Sequence, residues 1–502
     1  MKNLVDREIS KDLRPYGEQS LQKSNHLSKK QTSTQVEFFS SYKEAFDFFS
    51  LKDGITVSFH HHLRSGDGVI NDVCQEIRSR DFQHVSLMPS SIFPTYQGIA
   101  QLIREHRVNN IITSYCNGEV SKLVQQGLLQ GDFVMQTHGG RARSIMTGER
   151  KIDVAFLACP TVDKSGNGSG MEGKSACGVL GYAISDLEYA KKVILVTDHL
   201  VESLDQHQLD GKYVDGVIVV DSIGDPQGIV SGTTRITRDS IGLKIAKDTT
   251  KLLDALGLIE DGFSMQTGAG GTSLAVAAYV KELMKQKQIR ARFCSGGITS
   301  YFVEMLEEGL VDKLLDVQCF DLEAVRSSKE NKNHIAISAS VYGNPDEANP
   351  VSEQLDFVIL GATEIDLNFN VNVTTDSFGA IIGGSGGHSD IARGAFVTVV
   401  VSSLVKSRLP ILRESIRTIT TPGCDIDLFV TERGVAVNPL RTDLIQKLDQ
   451  AGIAHWTMPE LLQIAHEMTG VPRALSFSNQ VIGYVEYRDG SVIDMLYQEG
   501  FE

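Results

Sequence analysis

The stretch Asp261–Gly271 reads D-G-F-S-M-Q-T-G-A-G-G. Asp261-Gly262 is a turn signal. Phe263 to Gln266 alternates apolar and polar residues, as a short strand does. Gly268, Gly270 and Gly271 then lead into a helical run over 272–285, with Thr272 or Ser273 as candidate N-cap. A strand, a glycine-rich turn and a helix start make a natural site for an anion or a thioester. Glycines let a ligand reach the backbone, and free N–H groups point at it. A tight turn with no ligand is the competing reading. The spacing is G-x-G-G, so this is not the dinucleotide fingerprint.

The same pattern occurs earlier. D-G-I-T-V-S-F (53–59) matches D-G-F-S-M-Q-T (261–267). H-V-S-L-M-P-S-S (84–91) matches I-R-A-R-F-C-S-G-G (289–297), I-I-T-S (111–114) matches V-Q-C-F (317–320), and 152–167 matches 355–370. The last pair carries the same strand end, D-x-x-x-N, as Asp163/Asn167 and Asp366/Asn370. These matches keep their order at a separation of about 205 residues, which is the signature of a duplicated unit. The strands are short apolar runs such as Lys192–Val196 and Phe396–Val401, alternating with helical segments. Buried parallel strands with helical crossovers fit this pattern. The expected fold class is therefore α/β, with two similar open α/β domains over 46–250 and 251–475. In such sheets ligands bind at the carboxyl ends of the strands. Residues 1–45 are polar and read as a weakly ordered arm, extended or of short helices packing on a neighbour. The tail 476–502 reads as a hairpin around Arg488-Asp489-Gly490.

Composition narrows the function. The chain has 502 residues, 41% hydrophobic and 22% charged, with a formal net charge of −15. Nucleic acid is not an expected partner for such an acidic chain. No apolar run of about 18 residues and no secretory signal is seen, so no membrane span is expected and the cytoplasm is the expected location. The seven cysteines contain no C-x-x-C pair, which suits buried thiols in a reducing compartment.

Several clusters carry chemistry. His60-His61-His62-Leu63-Arg64 follows the first-copy strand, and His61, His62 and Arg64 are candidate ligands for a carboxylate substrate. Metal binding is the rival, but consecutive histidines on a strand point to alternate faces, so at most two could share an ion. A structural role is the other alternative, and no metal site is expected. Gly139, Gly140 and Arg141 form a second basic turn, an anion site or a solvated loop. Gly296 and Gly297 sit where the second copy expects a strand-to-helix turn. Gly383-Gly384-Ser385-Gly386-Gly387-His388 is the densest glycine run; its backbone could form an oxyanion hole, with His388 beside a substrate. No G-x-S-x-G elbow, P-loop or H-E-x-x-H is present.

Taken together, the paired copies, D-G-F-S-M-Q-T-G-A-G-G, the D-x-x-x-N strand ends, G-G-S-G-G-H-S-D (383–390) and V-T-E-R-G-V-A (430–436) resemble the CoA-transferase family. Within it the chain is similar to citrate lyase alpha subunits through S-F-H-H-H-L-R-S-G-D, T-H-G-G-R-A-R-S-I, L-L-D-V-Q-C-F-D-L, E-I-D-L-N-F-N-V-N-V and Y-R-D-G-S-V-I-D. The resemblance covers the chain after about residue 45 and implies a pair of domains like those of ribose-5-phosphate isomerase. It implies exchange of acetyl for citryl on a thiol borne by an acyl-carrier (gamma) subunit with a CoA-derived phosphopantetheine arm, or on CoA. A separate beta subunit would cleave the citryl thioester. An oligomer is expected, with no cofactor bound covalently to this chain.

Ordinary CoA-transferases carry a glutamate nucleophile where this chain has Gln266, and an amide cannot replace it. The resemblance therefore implies direct attack of a citrate carboxylate on the acetyl thioester, through a mixed anhydride in a ternary complex. Gln266 would orient a reacting oxygen, and the N–H groups of Gly268, Gly270, Gly386 and Gly387 would stabilise oxyanions. Three alternatives stand: a CoA-transferase using a glutamate elsewhere, with Glu364 the candidate; a non-catalytic scaffold of a lyase complex; and a sugar-phosphate isomerase.

Overall fold

The computed structural model describes residues 1–17, 24–33, 35–230, 234–472 and 478–498. The expected domain boundary at 475/476 and part of the expected arm, residues 18–23 and 34, lie outside the described residues.

Short β-branched runs separated by amphipathic helices fold here into two sheets. The first has ten strands, in the order 37–39, 216–219, 192–197, 154–158, 56–59, 85–89, 108–113, 133–135, 481–486, 492–497. The second has nine, in the order 334–336, 314–319, 293–298, 264–267, 357–360, 397–401, 428–431, 434–437, 455–456. The run from 133–135 to 216–219 in the first sheet has the order of the run from 334–336 to 428–431 in the second. Those runs are parallel throughout. Strand interiors such as Val154–Ala158 and Val397–Val401 are wholly buried, as strands covered on both faces must be.

The ladders set the two copies in register. Ser58 pairs with Met88 and Ala155, and Gln266 pairs with Ser295 and Val358, so Ser58 and Gln266 hold equivalent places. The strands 56–59 and 264–267 stand where the strand order reverses, the point at which an open α/β sheet leaves a crevice. Both D-x-x-x-N ends are clasps. Asp163 accepts from the backbone of Ser165 and Asn167 and from Asn167 Nδ2, and Asp366 does the same with Asn368 and Asn370. These motifs are turns, and they shape the fold.

The two ends of the chain depart from expectation. Within the expected arm, Glu37–Phe39 is an edge strand of the first sheet, and the helix Tyr42–Phe48 crosses the boundary set at 45. Residues 1–17 are pinned to the C-terminal hairpin: Asn3 Nδ2 donates to the carbonyls of Val492 and Ile493 at 3.1 and 2.7 Å. The hairpin itself, Val481–Glu486 and Val492–Tyr497, extends the first sheet by pairing in parallel with Phe133–Met135. The chain's two ends therefore complete its first half.

Candidate active site

A cleft of about 490 Å³ opens where the switch-point strands of the two sheets face each other. That volume is of the size that holds a small-molecule ligand. Its lining includes His61, Arg64, Gln266, Gly268, Gly270, Gly297, Gly386, Gly387 and His388, the candidates that the structure brings together. Two clefts of similar size, around Glu364 and Arg413 and around Arg393 and Cys424, lie elsewhere and hold none of them.

The histidine run divides by the alternation of an extended chain. His61 faces the cleft, its Nδ1 2.6 Å from Ser90 Oγ and its ring 4.6 Å from that of Tyr182. His60 and His62 turn into the first domain. His60 Nε2 donates to the carbonyl of Ala158 at 2.7 Å, and His62 Nδ1 lies 2.7 Å from the buried Asp67 carboxylate. His62 is therefore no substrate ligand. Burial, then the charges of His138 and Arg64, push the His61 imidazole well below its ordinary pKa, so it meets a substrate as a neutral ring.

Arg64 has a left-handed backbone, φ 54°, held by Tyr96, whose hydroxyl donates to its carbonyl at 3.0 Å. This turn aims the guanidinium across the cleft onto the Phe320 ring of the second domain, 4.5 Å from its centroid. Among the described residues that line the cleft, Arg64 is the one permanent cation.

Arg141, expected at the substrate, does not line the cleft. It is buried, its guanidinium bidentate to Asp186 at 2.9 Å with further bonds to Ser58 Oγ and the Met88 carbonyl. The expected basic turn is the first turn of the helix His138–Met146, capped by Thr137. The anion at that helix start is internal: Gly139 N donates to Asp390 Oδ2 at 2.8 Å and Gly140 N to Thr137 Oγ1 at 2.8 Å. Gly139 must be glycine because a Cβ would lie 2.1 Å from the Gly343 carbonyl of the other domain. Gly139 thus joins the domains, while Gly140 N is engaged within its own helix start and Arg141 within the first domain, so the turn is spent on the fold and not on a substrate.

In the second copy, Gln266 is buried at the end of its strand, and its Nε2 donates to Tyr342 Oη at 2.8 Å. Its Oε1 has no hydrogen-bond partner among the described residues, and neither does the Thr267 hydroxyl beside it. Gly296 and Gly297 lie inside the strand Phe293–Ile298, at a bulge against its neighbour, and not in a turn. Gly296, at φ 112°, leaves the space that Gln266 fills; a Cβ there would lie 2.7 Å from Gln266 Nε2.

The helix Gly271–Lys287 has Gly270 as its N-cap with no side-chain cap, so neither Thr272 nor Ser273 caps it. Its start opens on the cleft through Gly268, Ala269 and Gly270. Two of the expected oxyanion donors are already engaged. Gly268 N donates to the Ile359 carbonyl at 2.8 Å, and Gly386 N to the Ser114 carbonyl at 2.9 Å. Gly270 and Gly387 remain as the candidate donors.

His388 lines the cleft, but both ring nitrogens are bound, Nδ1 to Thr421 Oγ1 at 2.8 Å and Nε2 to the Gly361 carbonyl at 3.1 Å. A carbonyl only accepts, so Nε2 carries the proton. Burial pushes this histidine down to about 4. Glu364, the alternative nucleophile, is paired with Arg413 at 3.1 Å and does not line the cleft. Asp316, Cys319 and His334 bring three possible metal ligands within 4.8 Å, but they bond to one another: Asp316 Oδ2 accepts from His334 Nε2 at 3.0 Å and from Cys319 Sγ at 3.1 Å.

Among the cleft residues that the sequence did not single out are His138, Tyr182, Tyr342 and Gln318. Gln318 carried a signal, since it is the polar residue in the otherwise apolar run Leu314, Leu315, Val317, Cys319 that also holds Asp316.

The family described as "Citrate lyase, alpha subunit (CitF)" matches residues 35–499. The chain belongs to that family. It is 43% identical to the citrate lyase alpha chain of Haemophilus influenzae over 486 residues, 96% of either chain. It is 41% identical to that of Klebsiella pneumoniae, over 95% of this chain and 94% of the relative. Among solved structures, the one described as the alpha subunit of citrate lyase from Streptococcus mutans, in complex with citrate, superposes with a TM-score of 0.94 at 40% identity, covering 99% of this chain and 100% of that one. The alpha subunit of a malonate decarboxylase from Acinetobacter baumannii shares the fold, with a TM-score of 0.63 at 13% identity over 88% of this chain and 94% of that one. No helix among the described residues is long and apolar enough to cross a membrane.

Proposed function

We propose that this citrate lyase alpha-family chain is the acyl-transferring component of the lyase, converting citrate and an acetyl thioester into a citryl thioester and acetate. The observation that carries this reading is the chemistry of the cleft. Among the described residues that line it there is no carboxylate, thiol or amine, and Gln266 stands at the end of the switch-point strand. A cleft without such a nucleophile favours transfer between bound substrates.

A citrate carboxylate oxygen attacks the acetyl carbonyl, the carbon–sulfur bond breaks, and a thiolate leaves a citryl–acetyl anhydride. The thiolate then attacks the citryl carbonyl and acetate departs. Arg64 draws the polyanion in and holds one carboxylate. The N–H groups of Gly270 and Gly387 and the start of the helix Gly271–Lys287 stabilise the oxyanions. Gln266, anchored on Tyr342, orients a reacting oxygen. Holding both substrates in one cleft replaces a bimolecular encounter by a near-attack geometry.

In this reading the thiol is the phosphopantetheine arm of an acyl-carrier (gamma) subunit, with a CoA thioester as its simpler equivalent. A beta subunit takes the citryl thioester on to oxaloacetate, within an oligomeric complex in the cytoplasm. Incubating the purified chain with citrate and acetyl-CoA tests the proposal. Citryl-CoA and acetate in equal amounts are expected, and no citryl-CoA at any citrate concentration would overturn the proposal.

A further inference from the structure

We propose that Gln318 sets the acid specificity of the cleft, its amide oxygen accepting the proton of the substrate acid's hydroxyl group. The proposal rests on the reading of the cleft as a citrate site. Gln318 sits on the strand Leu314–Cys319 and is 98% buried while lining the cleft. Its Nε2 donates to the His61 carbonyl of the other domain at 2.6 Å. A carbonyl can only accept, so this bond decides which end of the amide is which. Oε1 is left as a buried acceptor that no hydrogen bond of good geometry meets among the described residues, with the His61 ring as its polar neighbour. A buried acceptor is normally met by a donor.

The backbone beneath the side chain is held too. Gln318 N donates to Asp316 Oδ1 at 2.8 Å, and Asp316 is fixed by Cys319 and by His334, whose Nδ1 lies 3.0 Å from Ser327 Oγ. The side chain itself is anchored by its bond to the His61 carbonyl. It also stands at the cationic end. Phe320, two residues on, carries the Arg64 guanidinium, and Gln318 grips the backbone of His61.

An amide oxygen repels carboxylates. The ionised acid that Arg64 attracts has one hydrogen-bond donor, its tertiary hydroxyl. The amides of a pantetheine arm also carry N–H groups, but Arg64 and His61 place Gln318 where the polyanion binds. A site that hydrogen-bonds a substrate hydroxyl rejects the analogue lacking it, because the buried acceptor is then left unmet.

The test compares citrate with propane-1,2,3-tricarboxylate, which is citrate without the hydroxyl, each with acetyl-CoA. In the unmodified chain kcat/KM is expected to favour citrate by about 10³-fold. In Gln318→Leu that preference is expected to fall below about tenfold, with the KM for acetyl-CoA unchanged. Use of both acids within about threefold of each other by the unmodified chain would overturn the proposal while leaving the citrate reading intact. Failure to form any citryl-CoA would overturn both. A Gln318→Leu chain that keeps its preference but has a raised KM for acetyl-CoA would assign the acceptor to the pantetheine arm and overturn the proposal. Should Gln318→Leu not fold, the comparison in the unmodified chain decides.

Discussion

The two halves of the molecule have the same strand order, yet equivalent places hold opposite chemistry. In the first half, Ser58 at the switch-point strand binds Arg141, and Arg141 is locked onto Asp186. In the second half Ser58 is replaced by Gln266. Arg141, four residues after its helix N-cap Thr137, is replaced by Tyr342, four residues after the N-cap Ser338. The carboxylate of the matching helix, Asp390, is its third residue where Asp186 is the fourth of its own, and it turns instead to Thr137 and Gly139 of the first domain. A charged triad closed on itself thus becomes an uncharged pair with one open acceptor, and the displaced carboxylate becomes a clamp between the domains. The duplicated fold closes the switch-point strand end of one copy and opens that of the other. The first copy brings Arg64, His61, His138, Tyr182, Tyr115, Phe93 and Ser91 to the cleft.

Substitutions can break this contrast. Arg141→Met should have the largest effect, since it leaves Asp186 buried and unpaired. A stability loss of about 3–5 kcal/mol is expected in urea unfolding, with the citrate KM of the folded protein unchanged. A raised KM at wild-type stability would return Arg141 to the cleft. Arg64→Ala should act the other way. Citrate kcat/KM should fall about 10²–10³-fold through a higher KM, while the KM for acetyl-CoA holds. Equal losses for both substrates would mean that Arg64 only supports the interface with Phe320.

The smallest effect concerns pH. Burial, with the charge of Arg141, pushes His138 down to about 3, against an ordinary value of 6.5. Its folded pKa is depressed, so the unfolded chain binds the proton first. The stability from this neutral ring is complete above about pH 6.5 and is lost progressively as pH falls toward 3. His138→Gln should therefore lose less Tm than the unmodified chain between pH 6.5 and 4. Parallel curves would contradict the burial of a neutral His138.

The fold was largely legible because duplication repeats its own evidence. Apolar runs and D-x-x-x-N ends recur in the same order, and the sheets follow that order. The places of Glu37–Phe39 and of the C-terminal hairpin were not legible, because edge pairing between distant segments leaves no periodic trace in either one. At the site, sequence located the right strand ends but could not tell engaged groups from open ones. His61 and His62 are neighbours of one residue type, and only the alternation of the chain sends one to the cleft and the other to Asp67. Gly268 and Gly386 looked like open donors until Ile359 and Ser114, distant in sequence, proved to accept from them. Gln318 stood out as a polar residue in its run, but its role was not legible because it depends on the carbonyl of a residue in the other domain.

The most direct test of transfer between substrates, without a protein-bound acyl group, is intact mass of the chain after acetyl-CoA charging and treatment with hydroxylamine or borohydride. An unchanged mass is expected for a chain that makes citryl-CoA at full rate. A hydroxamate or alcohol on any carboxylate of the chain, formed only after charging, would contradict direct attack and restore a covalent route.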